Sequence, residues 1–386
     1  MAVYLLIIIY IAFISLGLPD SLFGAAWPAI YKELDLEVSL AGVVTFVTSL
    51  CTILSSVVSA RVIKKWGTGM VSAVSVVMTS LAMYGFSVSE SLIWFVMCAI
   101  PLGFGAGCID AALNNYVALF YKATHMNFLH CFYGVGVSVS PYIMGLALEK
   151  EKWQTGYLVV SLIQGIIAIL MFFSLGAWKK VVEGKSNNEK TTEEMLVLSY
   201  KKMAEHPKAI PTWIIFFAYC GIECTAGLWG STYMVICKDV SLDVAAKCVM
   251  VYYGGLTIGR FFAGVFANKL SSWKLIYIGY AILGIALLVM LMSTGFIVTL
   301  VAFFFVGFGC APIYPNFMQL TPINFTKETS QSMMGAQSAA AFMGSTFIPP
   351  LFGIIAQKVS PVLFPVFLVI LYGLLLGGLI LLIKRK

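Results

Sequence analysis

Four ionisable side chains lie inside long apolar segments of the sequence, where a charged group needs a physical reason to be kept. They are Asp20, Asp110, Glu223 and Arg260. In a bilayer such a group costs a few kcal/mol unless it is paired or faces a polar cavity, so it usually marks an ion or substrate pathway. Because a carboxylate can accept a proton or bind Na⁺, we assign cation coupling to Asp20 and Asp110.

The neighbours of the two aspartates indicate the solute that they would meet. Trp27 lies on the helical face of Asp20, two turns further on. A carboxylate beside a ring suits a sugar, whose hydroxyl groups donate hydrogen bonds and whose C–H face stacks on aromatic side chains. Asn114 follows Asp110 by one turn and is a second substrate candidate. The alternatives are an Asp20 that caps a helix break after Pro19 and a purely structural Asp110–Asn114 hydrogen bond.

Glu223 lies in a glycine-rich stretch of the seventh apolar segment. The stretch contains Gly221, Gly227 and Gly230. We predict that these glycines loosen the helix, and unwound backbone at membrane depth is tolerated only where it lines a cavity. Glu223, Trp229 and Tyr233 are therefore predicted to contact the substrate or the ion. The alternative is a structural glutamate at a helix break.

The remaining candidates are one histidine, one tyrosine and two arginines. His130 and Tyr133 share a helical face and are assigned to the substrate site, although a lone histidine is more often a packing residue and lacks companions for a metal site. We predict that Arg260 gates or stabilises the fold by pairing with a carboxylate or a helix C-terminus. Arg61, in the basic loop RVIKKWGTG, is given the same kind of role.

The elements that must position these residues are membrane helices. Of the 386 residues, 60% are hydrophobic and 11% are charged, whereas soluble proteins average roughly 45–50% and 25%. Twelve apolar runs recur, including a single run over 297–323, and roughly 20 residues are enough to span a bilayer. The sequence thus predicts an all-α polytopic membrane protein with twelve transmembrane helices, and no nucleic-acid partner.

The two halves of the chain repeat each other. The segment 136–145 matches 344–353, with glycines at both ends and a proline at the same place, and Gly-Phe-Gly occurs at both 103–105 and 307–309. This pattern predicts two pseudo-symmetric six-helix bundles, at 1–178 and 210–386, joined by a polar linker at 179–209.

Basic residues indicate the orientation. Lys and Arg are concentrated in alternate loops, in the linker and at the C-terminus. Because basic loops stay in the cytoplasm, we predict an integral plasma (inner) membrane protein with both termini cytoplasmic. There is no P-loop, nucleophile elbow or metalloprotease motif. We therefore predict that the protein is not an enzyme and has no catalytic residue, metal or cofactor, apart from a coupling ion.

Four segments resemble a known family. GCIDAALNNY, LHCFYGVGVSVSPY, YYGGLTIGRFFAG and GFGCAPIYPNF are similar to the fucose:proton symporter family of the major facilitator superfamily, and the Tyr219–Tyr233 pattern is similar to its sodium-dependent glucose transporter branch. The resemblance implies the major facilitator fold. It also implies proton coupling at Asp20, and sugar binding with coupling at Asp110. His130 and Tyr133 depart from the family, which has polar amides there.

Together these features predict a secondary active transporter. We expect cation-coupled symport of a sugar or sugar-like polar solute by alternating access, with H⁺ or Na⁺ as the coupling ion. The expected partners are a monosaccharide and the lipid bilayer, and the expected state is a monomer. Two alternatives stay open: a proton-driven exporter of lipophilic drugs, and a non-transporting sensor on the same fold.

Overall fold

The computed structural model describes residues 2–121, 123–150, 152–178, 200–267, 269–325 and 327–385. Within these ranges the regular structure is helical and includes no β-strand. Twelve described segments are long and apolar enough to cross a membrane. The predicted fold class is therefore confirmed.

Six long helices form the described part of the N-terminal half. They are α1 (Ala2–Glu33), α2 (Ala41–Trp66), α3 (Thr68–Ser87), α4 (Leu92–Phe120), α5 (Ala123–Leu148) and α6 (Trp153–Phe173). Each is an apolar run long enough for a bilayer, and in lipid the helix is the conformation that satisfies all backbone groups within one segment.

The second half begins with a short helix and repeats the plan. Its helices are α7 (Tyr200–Glu205), α8 (Ala209–Lys238), α9 (Leu242–Phe266), α10 (Ser272–Met292), α11 (Phe296–Cys310), α12 (Ile313–Asn324), α13 (Lys327–Lys358) and α14 (Phe364–Lys384). The tenth predicted span consists of two helices, α11 and α12. The chain turns between them at Ala311 and Pro312, because a proline has no N–H group to continue the helical hydrogen bonds.

The predicted loosening of the seventh span is wrong. α8 is one continuous helix of 30 residues that passes through all three glycines. The glycines instead give room to side chains from other helices: Gly221 faces Ile348, Gly227 faces Tyr253, and Gly230 faces Phe303. Likewise, α1 continues through Pro19, which excludes a helix break as the reason for Asp20.

The described residues form two compact units. One consists of Met1–Glu189 with Asp239–Met250, and the other of Lys190–Lys238 with Val251–Lys386. Residues 179–199 of the predicted linker lie outside the described ranges. The division at Met250 falls inside α9, so this helix begins in the first unit and ends in the second. The sequence did not predict a helix shared between the units.

The internal repeat has the same structural effect in each unit. A Cβ atom at Gly136 would collide with the carbonyl oxygen of Ile14, and one at Gly344 would collide with that of Phe217. The glycine of each repeat therefore lets α5 lie directly on α1, and α13 directly on α8. Small residues at such crossings are how membrane helices gain close backbone packing.

A second pair of repeated glycines acts in the same way. Gly103 on α4 lies against the carbonyl oxygen of Thr48 on α2, and Gly307 on α11 lies against that of Tyr252 on α9. Span four therefore contacts span two in the same way as span ten contacts span eight. The matching residues make equivalent contacts, so the pseudo-symmetry read from the sequence is a property of the packing.

We expect Gly136→Leu to destabilise the protein by about 1–3 kcal/mol or more, because a larger side chain cannot enter the α1–α5 crossing without moving the backbone. Gly373→Leu on α14 is the control, since no atom lies within 4 Å of a Cβ built there. Thermal unfolding in detergent, followed by size-exclusion chromatography, measures the difference. Equal melting temperatures for the two variants would contradict the packing role.

Candidate functional site

Asp20 and Tyr133 are joined by a hydrogen bond between α1 and α5. The Tyr133 hydroxyl donates a hydrogen bond to Asp20 Oδ2 at 2.5 Å. Asp20 lies well inside α1, yet its side chain is exposed. A carboxylate at this depth is too costly to expose to lipid, so its exposed face must border a hydrated part of the protein. The structure therefore brings together two residues that the sequence assigns to coupling and to substrate binding.

His130 lies one turn before Tyr133 on α5. Its ring lies edge-on to Phe13 of α1, with ring centroids 6.0 Å apart and an interplanar angle of 89°. The side chain is exposed, like that of Asp20. His130 and Tyr133 thus lie on the same helix pair as Asp20, in agreement with their predicted common face.

Asp110 and Asn114 are joined on α4. The Asn114 amide donates one hydrogen bond to Asp110 Oδ1 at 2.8 Å and another to the Asp110 carbonyl oxygen at 3.0 Å. The predicted contact between a carboxylate and an amide one turn away is present. This geometry suits both a coupling site and a structural hydrogen bond, so both interpretations stay open.

Glu223 and Arg260 form an ion pair in the second unit. Arg260 Nη2 lies 3.3 Å from Glu223 Oε1, and the two side chains are 16% and 17% exposed. The Tyr252 hydroxyl donates to the Glu223 carbonyl oxygen at 3.1 Å. The carboxylate that Arg260 is predicted to need is therefore Glu223 itself. The sequence assigns Glu223 to the substrate, because a separation of 37 residues gives no signal of this pairing.

Three predicted substrate residues are enclosed by protein. Trp27 is 0% exposed and its indole N–H donates to the Val38 carbonyl oxygen at 2.9 Å. Trp229 is 1% exposed and donates to the Pro349 carbonyl oxygen at 2.8 Å, while Tyr233 is 5% exposed. All three rings are packed against protein in this structure, and their role in substrate binding stays a prediction. The Arg61 side chain lies outside the described part of the structure.

A charged cluster that the sequence did not reveal holds the start of α9. Lys247 Nζ lies 2.5 Å from Glu149 Oε1, at the end of α5, and 3.6 Å from Asp243 Oδ2, one turn earlier on α9. All three residues belong to the first compact unit. Among the described residues, no group of three or more His, Cys, Asp or Glu side chains could hold a metal ion.

Comparison with known proteins decides the family. Residues 9–349 and 238–386 match the sequence profile of the Major Facilitator Superfamily. The chain belongs to this superfamily. Its members are transporters, so this superfamily protein is a transporter and not an enzyme, as predicted. The finer resemblance, to the fucose:proton symporter family, stays a prediction.

Curated relatives from three organisms are similar over most of the chain. "Bypass of stop codon protein 6" of Saccharomyces cerevisiae is 26% identical, over 91% of this chain and 76% of the yeast protein. A "Putative glucose/galactose transporter" of Helicobacter pylori is 22% identical, over 69% of this chain and 67% of its own length. "Glucose/mannose transporter GlcP" of Bacillus subtilis is 19% identical, over 87% of this chain and 84% of its own length.

Solved structures show the same fold. A bacterial homolog to the human lysosomal transporter Spinster, in an inward-facing and unoccupied conformation, has a TM-score of 0.79 at 12% identity and covers 99% of this chain and 98% of its own. The nucleoside transporter NupG, solved as a mutant, has a TM-score of 0.72 at 13% identity and covers 98% of both chains. At such low identity these similarities establish the superfamily fold alone.

We expect Arg260→Met to lower the free energy of unfolding by up to about 3–5 kcal/mol, because it leaves the Glu223 carboxylate, which is only 17% exposed, without its cationic partner. The double variant Glu223→Gln/Arg260→Met should recover much of this loss, since it removes both charges. Thermal melting of the purified protein in detergent measures both effects, with Lys358→Met, at an exposed position, as the control. A double variant no more stable than Arg260→Met would contradict a charge-pairing role.

Proposed function

We propose that this protein is a secondary active transporter that couples H⁺ or Na⁺ to the symport of a neutral, sugar-like solute. The observation that carries the proposal is the exposed Asp20 carboxylate inside α1, with the Tyr133 hydroxyl as its hydrogen-bond donor. The names of the H. pylori and B. subtilis relatives, which describe transporters of glucose with galactose or mannose, support the sugar class.

Asp20 and Tyr133 would act together in coupling. While the carboxylate is charged, it accepts the hydrogen bond of the Tyr133 hydroxyl. When a proton or Na⁺ binds the carboxylate, the carboxylate becomes a weaker hydrogen-bond acceptor. The Tyr133 hydroxyl is then released. Tyr133 can then donate a hydrogen bond to an oxygen of the solute, so ion binding on α1 prepares solute binding on α5. Asp110, held by the Asn114 amide, would be a second cation-binding carboxylate.

The charge balance of the second unit favours a neutral solute. Glu223 and Arg260 neutralise each other, so neither offers a full charge to an anion or a cation. A sugar needs hydrogen-bond donors and acceptors but no counter-ion. By contrast, a dicarboxylate would need cationic side chains, and the arginine of this site is already paired.

Alternating access in this fold is the rocking of one six-helix bundle against the other. The first turns of α9 belong to the same compact unit as α5, and the remainder of α9 belongs to the other unit. The Lys247–Glu149 pair joins the end of α5 to the start of α9 within the first unit. We propose that this pair keeps the start of α9 packed against that unit. We further propose that the protein works as a monomer with both termini in the cytoplasm.

We expect Asp20→Asn to reduce gradient-driven uptake of labelled glucose into proteoliposomes by about tenfold or more, the effect of losing roughly 1.4 kcal/mol of coupling. Asp110→Asn should act in the same direction. Counterflow under equal ion concentrations should persist, because solute exchange needs no net ion flux. Uptake is measured with an imposed H⁺ gradient and, separately, with a Na⁺ gradient.

Asp35→Asn is the matched control for uptake. Asp35 is an exposed residue just after α1 with a φ of 51°, a conformation that asparagine adopts readily, so this variant should transport normally. If Asp20→Asn and Asp110→Asn both leave uptake intact under either gradient, the coupling assignment is wrong. If glucose is not taken up but lipophilic cations are exported, the symport proposal fails in favour of a drug exporter.

We expect Lys247→Gln and Glu149→Gln to expose the start of α9. Cys248, the next residue after Lys247, is 2% exposed, so it is a native reporter of this segment. Its modification by a membrane-impermeant maleimide, located by mass spectrometry, should become several-fold faster in both variants. Asp243→Asn is the control, because its partner Lys247 lies on the same helix. An unchanged rate in Lys247→Gln and Glu149→Gln would refute this role of the pair.

A further inference from the structure

An apolar groove lies on the second unit, away from the polar residues of the proposed coupling mechanism. Its cavity volume is about 340 Å³. One wall is a face of α9, the other is a face of α10, and residues of α11 form the floor. The residues that shape it include Phe262, Phe266, Ile278, Ile282 and Phe308. The lining is almost entirely apolar, so the groove is unsuited to a sugar.

The groove opens at the outer surface of the helices. Phe262, Phe266 and Ile278 line it and are all exposed. The rings of Phe262 and Phe266 are stacked, with centroids 6.2 Å apart and an interplanar angle of 17°, and the ring centroid of Phe308 lies 6.3 Å from that of Phe262. In a bilayer this wall faces lipid, and its concave shape gives a hydrocarbon chain contacts on three sides.

Two lysines adjoin in sequence the residues that line one end of the groove. Leu270 and Leu275 line it, and Lys269 and Lys274 directly precede them in the sequence. Lys274 also shares a helical face with the groove residue Ile278, one turn further along α10. Both lysines are exposed. Neither ammonium group has an ion pair or a hydrogen bond with any described residue.

The chain segment that carries the two lysines favours an anion. The segment from Ala267 to Lys274 contains no Asp or Glu. α10 begins here, with Ser271 as its N-cap, and the N-terminus of a helix carries a partial positive charge. Trp273 lies between the two lysines in the sequence. Tryptophan is enriched at the boundary between hydrocarbon and water. An apolar groove therefore leads to a cationic end at the level of lipid headgroups.

We propose that this groove is a binding site for one anionic phospholipid. An acyl chain lies against Phe262, Phe266 and Ile278, and the headgroup phosphate lies between Lys269 and Lys274. Basic pockets between transmembrane helices bind anionic headgroups in this way. A zwitterionic lipid would fill the groove equally well but would gain less from the two cations. The proposal does not depend on which solute the protein carries.

Native mass spectrometry of the detergent-purified protein tests the proposal. Phosphatidylglycerol and phosphatidylcholine with identical acyl chains are titrated separately. We expect one phosphatidylglycerol to bind about twenty-fivefold more tightly than phosphatidylcholine, since each lysine near an anionic headgroup contributes roughly a factor of five. Equal affinity for the two lipids, or no saturable binding of phosphatidylglycerol, would overturn the proposal.

Variants separate the two parts of the site. Lys269→Gln/Lys274→Gln should remove the preference for phosphatidylglycerol, whereas Lys201→Gln/Lys384→Gln, which removes the same charge from exposed positions outside the groove, should keep it. Ala263→Trp fills the groove and should weaken the binding of both lipids. If the control double variant loses the preference as fully as Lys269→Gln/Lys274→Gln, the site is not at this groove. Because the lysine variants alter only exposed side chains, they test the site even if Ala263→Trp fails to fold.

Discussion

The interior of a bilayer cannot form hydrogen bonds with a peptide group, so every spanning segment has to satisfy its backbone internally. This constraint produces the helices, and it also limits how they associate. Between helices in lipid there is little hydrophobic driving force, so close packing has to supply the stability. Gly136 and Gly344 show how: each removes a Cβ that would collide with a carbonyl oxygen of the neighbouring helix. The repeated sequence therefore produces the same close helix packing in both units.

The same medium makes each ionisable group inside a span depend on a partner, and the partners of Asp20 and Asp110 differ in charge from that of Glu223. In the first unit, a neutral hydroxyl holds Asp20 and a neutral amide holds Asp110. In the second unit, a guanidinium holds Glu223. A carboxylate held by a neutral hydroxyl or amide can still take up a cation, whereas one paired with arginine is already neutralised. This difference favours coupling in the first unit.

Hydropathy and repetition were sufficient to predict the spans and the two-bundle plan, because both depend on properties averaged over a whole segment. The partner of Arg260 and the enclosure of Trp27 were not predictable. They depend on the rotation of each helix and on which helix lies beside it, and neither leaves a periodic signal. The glycines of α8 were misinterpreted for a related reason: in isolation a glycine weakens a helix, but against Tyr253 or Phe303 it makes room for a ring.

The Glu223–Arg260 and Lys247–Glu149 ion pairs contribute differently to stability because their exposure differs. The Glu223–Arg260 side chains are 17% and 16% exposed, and breaking such a pair leaves an uncompensated charge at a cost of about 3–5 kcal/mol. Lys247 and Glu149 are 30% and 47% exposed, and a solvated pair contributes only about 0–1 kcal/mol. The Glu223–Arg260 pair should therefore stabilise the second unit more than the Lys247–Glu149 pair stabilises the start of α9.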